Sequence, residues 1–289
     1  MVKQRGASAL QRGGTALRSG TNTELRRREW TRMHSLPTLM VAPNGARLTK
    51  ADHPALPVTI QETVAATLAA RDAGADGLHA HVRDASGAHV LDAGLYSELL
   101  AELARQAPGF YVQITTEAVG RYSPAQQREL IETLVPPAVS IGLREIDAES
   151  DQNRTRRFFA FCADAKIHVQ HILYDMDDVH RLAARRADGT LPPGPLAAIL
   201  VMGRYTEGQV SDVTAIAPFV AGLHAVEPDV DWSLCAFGQT ETACLVEAAR
   251  LGGKMRVGFE NNRVNLNETI AVDNADRVRD LRAALAKGT

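Results

Sequence analysis

Cysteine is scarce in this chain, with three residues in 289: Cys162, Cys235 and Cys244. Their odd number and unpaired spacing exclude a disulfide framework and point to a reducing, cytoplasmic setting. No apolar run approaches the roughly 20 residues that a membrane-spanning helix needs, so no membrane association is expected. Neither sign of charge prevails: 32 Lys and Arg stand against 34 Asp and Glu, for a formal net charge of −2. That balance argues against a nucleic-acid or membrane-surface partner. A dinucleotide fingerprint is missing too, because "APNGAR", after the first expected strand, lacks the G-x-G-x-x-G spacing. What remains is ordinary globular composition, 45% hydrophobic and 23% charged, long enough for one large α/β domain or two smaller ones.

The first 32 residues differ from the rest, carrying eight Lys or Arg against two Glu and no apolar periodicity. Residues 1–35 are expected to form a disordered basic extension, with Met33 as a natural start within it; a transit-like peptide is the other reading. From residue 37 short apolar runs alternate with helical patterns, the rhythm of βα units and a parallel sheet. Strands are expected at 37–42, 76–82, 110–116, 137–143, 167–174, 197–202, 230–236 and 255–260. Helices are expected at 59–74, 239–252 and 274–287. The first of these has Thr59 as N-cap, Glu62 three residues on and Gly74 as its stop. Eight strand–helix units over about 250 residues predict an α/β fold, a (β/α)8 TIM barrel, with 36–289 as a single catalytic domain. A doubly wound open sheet is the alternative.

In such a barrel the C-terminal strand ends carry the chemistry. The second strand, "DGLHAHV", puts His79 and His81 on one face and Leu78, Ala80 and Val82 on the other. If the apolar face meets the helices, both imidazoles face the barrel axis. A buried imidazole left without partners costs on the order of 1–3 kcal/mol per unsatisfied group. Zinc answers that need, and a catalytic zinc site takes three protein ligands with one position open. The last strand, "MRVGFENN", offers the third: Val257 and Phe259 face out, while Arg256, Gly258 and Glu260 face in. His79, His81 and Glu260 are the expected metal ligands. Gly258 leaves room and Arg256 supplies fixed positive charge. Gln113, Thr115, Ser140 and Gly142 face inward, and the two hydroxyls could hold a carboxylate or simply fill the barrel. His34, His53, His89, His180 and His224 are expected to be solvated, and at most one of His168 and His171 to reach the site.

Several segments together carry a resemblance: "APNGAR", "PALPVTIQE", "AGADGLHAHVRDASG", "VQITTEAVG", "PPAVSIGL", "FGQTETACLVEAARLGG" and "RVGFENN". From about residue 37 to the end, the chain resembles the β-keto acid cleavage enzymes. The resemblance implies a TIM barrel with zinc on His79, His81 and Glu260. It implies a β-keto acid and acetyl-CoA as substrates, exchanged by a Claisen-type reaction into acetoacetate and a new acyl-CoA. Zinc would act as a Lewis acid and Arg256 would add charge to the transition state. Asn44, Thr115 and Ser140 would bind substrate, and a homo-oligomer, a tetramer, is implied. Three positions depart from the best-known member of that family. Asn261 stands where it has an Asp base, so Asn261 reads as a catalytic hydrogen-bonder. Gln170 and Arg47 stand where acids are expected, and both are expected at the substrate. Losing two carboxylates and gaining a guanidinium favours a neutral or anionic substrate tail, such as a β-keto dicarboxylate; the other reading is that Arg47 points to solvent or meets the CoA phosphates. The competing readings are a zinc-dependent TIM-barrel hydrolase or lyase and a non-catalytic barrel that binds a keto acid or acyl-CoA.

Overall fold

The computed structural model describes residues 35–149 and 151–287. The expected basic extension, apart from Ser35, lies outside them. Eight parallel strands close into a barrel in chain order. They are β1 (Leu39–Val41), β2 (Gly77–Ala80), β3 (Tyr111–Thr115), β4 (Ala138–Gly142), β5 (His168–Leu173), β6 (Ala197–Met202), β7 (Asp231–Ala236) and β8 (Lys254–Val257). β1 closes the ring, Met40 pairing with Gly77 of β2 on one side and with Arg256 of β8 on the other. This is the (β/α)8 TIM barrel that the alternating pattern predicts.

Strand alternation sorts the side chains. Leu78, Ala80, Ile114, Val139, Ile141, Leu200, Leu234 and Val257 join one core between barrel and helices. Burying each large aliphatic side chain there stabilises the fold by about 1.5–3 kcal/mol. The opposite parity places Gln113, Thr115, Ser140, Gln170 and Ser233 inside the barrel, buried and bonded to one another.

The helix Ile60–Asp72 begins as the sequence indicates. Thr59 Oγ1 accepts from the Glu62 N–H at 3.2 Å, and the Glu62 carboxylate accepts from the Thr59 N–H at 3.0 Å. Gly74 follows at φ 109°, a left-handed position that favours glycine. The later helices run Glu241–Arg250 and Asn274–Lys287. Among the described residues, no helix is long and apolar enough to cross a membrane. Between β1 and its helix, Arg83 pins the loop by donating from Nη2 to the carbonyls of Asn44, Gly45 and Leu48.

Two expectations need correction. β8 stops at Val257 rather than 260. His53 and His89, expected in solvent, are both buried: His53 packs on Phe259 and meets the Ala271 carbonyl at 2.9 Å. Among the other described histidines, His180 is exposed and His224 half-buried.

Candidate active site

β2 carries His79, and the turn just beyond it carries His81. Their free nitrogens are fixed by chains of hydrogen bonds that end on backbone carbonyls. Gln170 Nε2 donates to the Ala198 carbonyl at 3.2 Å and to Ser233 Oγ at 2.9 Å. Its Oε1 therefore accepts from Gln113 Nε2 at 3.0 Å, which turns Gln113 Oε1 toward His79 Nδ1 at 2.9 Å. His79 is thus the Nδ1–H tautomer, with the Nε2 lone pair free. On the other side His89 Nε2 lies 3.1 Å from the Glu117 carbonyl, to which it can only donate. His89 Nδ1 is then an acceptor for His81 Nδ1–H at 3.4 Å, and the His81 Nε2 lone pair is free as well.

Glu260 arrives from a turn rather than a strand. Gly258, at φ 146°, brings the backbone so close to β1 that a Cβ there would sit 2.4 Å from the Ala42 carbonyl oxygen. The turn is held from three sides. Gly258 N–H donates to Glu241 Oε1 at 3.3 Å, Phe259 N–H to Asn274 Oδ1 at 2.9 Å, and Glu260 N–H to the Ala42 carbonyl at 3.1 Å. Glu241 is itself gripped by the fully buried Arg277 at 2.7 Å.

The result is a convergence of three lone-pair donors. His79 Nε2 and His81 Nε2 lie 3.2 Å apart, and Glu260 Oε2 lies 3.6 Å from the first and 3.5 Å from the second. Glu260 Oε2 is buried without a hydrogen-bond partner. Tetrahedral zinc with N and O ligands at about 2.0–2.2 Å sets neighbouring ligand atoms roughly 3.3–3.6 Å apart. The residues present fit such an ion, and the facing lone pairs repel one another without a cation between them. Burial and the charge of Arg256 push His79 down to about 3, so its neutral, ligating form prevails. Burial would raise Glu260, but the charge of Arg256 leads the opposing effects and holds the carboxylate well below its usual range. Arg256, equally buried, donates from Nη2 to Glu260 Oε1 at 3.0 Å and to Cys235 Sγ at 3.1 Å.

Beside the triad lies a small, partly open inner pocket, about 300 Å³ with the open space at its mouth included. Its wall includes His79, Thr115, Glu117, Tyr174, Arg204, Phe237, Arg256 and Glu260. It adjoins a wider cleft of about 990 Å³, open to solvent, whose wall includes Asn44, Arg47, Gln209, Asn261 and Arg263. Glu117, Arg204, Phe237 and Glu260 line both spaces.

The other sequence-predicted residues distribute around these spaces. Thr115 lines the inner pocket; its Oγ1 accepts from Ser140 Oγ at 3.3 Å and from the Glu117 N–H at 3.1 Å. Asn261 faces the cleft with both side-chain polar atoms buried and unpartnered. Asn44 Nδ2 is used on the Pro57 and His81 carbonyls at 3.2 and 3.1 Å, while its Oδ1 is unpartnered. Arg47 is exposed on the cleft and does not reach the inner pocket. Gln170 lines neither space: it lies inside the barrel beneath Gln113. His171 faces Phe159 in the helical layer, and His168 meets the Tyr111 hydroxyl at 3.0 Å; neither touches the triad. Sequence reasoning missed Glu117, Arg204 and His89. Glu117 sits two residues after Thr115 at the end of β3, a signal that strand-end position could have supplied.

Fold and site together define a TIM-barrel enzyme with a candidate metal centre at the C-terminal mouth of the barrel. The chain belongs to the beta-keto acid cleavage enzyme family, whose model matches residues 38–288. It is 26% identical over 250 residues to a 3-oxoadipate:acetyl-CoA acetyltransferase of Cupriavidus necator, covering 85% of this chain and 87% of that one. It is 23% identical over 224 residues to a 3-keto-5-aminohexanoate cleavage enzyme of Fusobacterium nucleatum, covering 75% and 79% of the two chains. Among solved structures it resembles apo ObcA with a TM-score of 0.64 at 17% identity, covering 82% of this chain and 63% of that one. A type I 3-dehydroquinate dehydratase of Clostridium difficile shares the fold at a TM-score of 0.56 and 11% identity, covering 88% and 92% of the two chains.

Proposed function

We propose that this chain is a zinc-dependent β-keto acid cleavage enzyme. It would condense a β-keto acid with acetyl-CoA and release acetoacetate and a new acyl-CoA. The observation that carries this reading is the meeting of His79, His81 and Glu260 in a member of this family, their lone pairs aimed at one point. Zinc, when bound, supplies a Lewis acid for the oxygens of the keto acid.

The chain's own residues do the rest. Arg256, fixed by Glu260 and Cys235, keeps a positive charge where negative charge develops on the substrate, in a site dry enough for that charge to act strongly. The Thr115 hydroxyl, backed by Ser140, is offered to the substrate carboxylate. Asn261 cannot accept a proton as a carboxylate does. Its unpartnered amide is suited to hold an acyl oxygen in the cleft. The cleft carries Arg47, Arg204 and Arg263, an excess of cations that suits the phosphates of acetyl-CoA. Gln170 acts through Gln113 rather than on the substrate. The tail of the β-keto acid is neutral or anionic, a reading favoured by the surplus of arginines over glutamates around the two spaces. We further propose residues 36–289 as one catalytic domain that works in the cytoplasm as a homotetramer, a state that light scattering would read.

The test is a panel of β-keto acids incubated with acetyl-CoA and zinc-loaded protein, with acetoacetate and acyl-CoA read by mass spectrometry. Paired formation of both products from a neutral or anionic substrate supports the reading. Ligand binding with no acyl exchange across the panel would show a binding barrel instead.

A further inference from the structure

The inner pocket holds a guanidinium whose capacity is largely unspent. Arg204 lines both the inner pocket and the cleft, and its recorded hydrogen bond is a single long one, Nη2 to Glu117 Oε1 at 3.4 Å. It lies over aromatic rings, the guanidinium carbon 5.1 Å from the centre of Phe237 and 5.8 Å from that of Tyr205. Cation–π contacts of this kind restrain the guanidinium without using its N–H groups, which stay available to bind a carboxylate with two parallel hydrogen bonds. Arg256 is differently placed, since its Nη2 already serves Glu260 and Cys235. Arg47 stays outside on the exposed rim of the cleft.

The charge of the pocket points the same way. Its lining holds two arginines, Arg204 and Arg256, and two glutamates, Glu117 and Glu260. Arg204 and Arg256 cancel Glu117 and Glu260, so the protein side sums to zero and a bound divalent cation leaves two positive charges. A β-keto acid with a neutral tail offers one negative charge, and one with an ammonium tail offers none in sum. A β-keto dicarboxylate offers two and leaves no charge uncompensated at the buried triad.

We infer that the substrate is a β-keto dicarboxylate whose distal carboxylate is received by Arg204, which makes Arg204 the specificity-determining residue. This rests on the β-keto acid cleavage reading and narrows it. The carbon chain then spans the inner pocket, with the keto-acid end at the triad and Thr115 and the distal end at Arg204. Glu117 gives up one long contact and stays at the pocket wall.

The experiment compares 3-oxoadipate with 3-oxohexanoate, which has the same length but a methyl group in place of the distal carboxylate. For the parent, kcat/KM is expected to favour the dicarboxylate. Arg204→Gln should cost on the order of 10²-fold in kcat/KM for 3-oxoadipate, mainly through KM, as expected for one charged hydrogen-bonding pair. It should change 3-oxohexanoate turnover by less than about threefold, and Arg204→Lys should restore part of the loss. Equal losses on both substrates would overturn the assignment. So would a parent that prefers the methyl-ended acid, or a collapse of the preference in Arg47→Gln rather than in Arg204→Gln. A parent that exchanges acyl groups with neither substrate, or with any other β-keto acid, would instead bring down the underlying reading and this one with it.

Discussion

At the scale of single residues, the site depends on which ring nitrogen carries the proton. Two histidines on one strand face were legible in the sequence, because strand parity alone puts His79 and His81 together. Their partners were not. His89 lies eight residues from His81 in a loop that folds back on Arg83, and His79 is oriented by Gln113 on the next strand. No local pattern announces either contact. Because these partners set the Nδ1–H tautomers, they should govern metal affinity without touching the metal. Gln113→Met removes the acceptor at nearly constant volume, and His89→Ala removes the second one. Each should weaken zinc binding by about 10–100-fold in competition with a chelator. His89→Gln, which can accept from His81 and donate to the Glu117 carbonyl, should recover most of the loss. Parent-like affinity in both of the first two variants would refute the proposed orientation.

At the scale of elements, alternation placed Glu260 on β8, whereas the structure places it on a turn. The difference arises at Gly258. Its left-handed φ and close approach to Ala42 end the ladder, and alternation says nothing about a residue that leaves the strand. The turn is braced by Glu241, whose own partner Arg277 is fully buried. Removing one member of a buried ion pair costs about 3–5 kcal/mol, because the other charge is left without compensation. Arg277→Met should lower the unfolding free energy read from urea denaturation by an amount of that order. It should also reduce zinc affinity, since Glu241 then no longer holds the Gly258 N–H. A stable variant with parent-like metal binding would show that the brace is dispensable.

For the molecule as a whole, the barrel and the meeting of His79, His81 and Glu260 were readable, but the acid response expected of the fold was not. It comes from histidines that become buried only in the folded chain. His171 is packed on Phe159 and driven to about 3, first by burial and then by the charge of Arg186. The unfolded chain titrates near 6.5. Its folded pKa is therefore depressed: the stability it contributes is complete above about pH 6.5 and is lost as pH falls toward 3. The slope is about 1.4 kcal/mol per pH unit within that window. His171→Leu should flatten the fall in denaturant stability between roughly pH 6 and 4.5 by that amount per unit. Parallel profiles for parent and variant would rule out His171 as a source of the acid sensitivity.

The inner pocket and the wide cleft share one stretch of wall, made of Glu117, Arg204, Phe237 and Glu260. A thioester lying along the cleft, as proposed, would meet the keto acid across that shared wall, so the arrival of either substrate is expected to depend on whether the other is already seated.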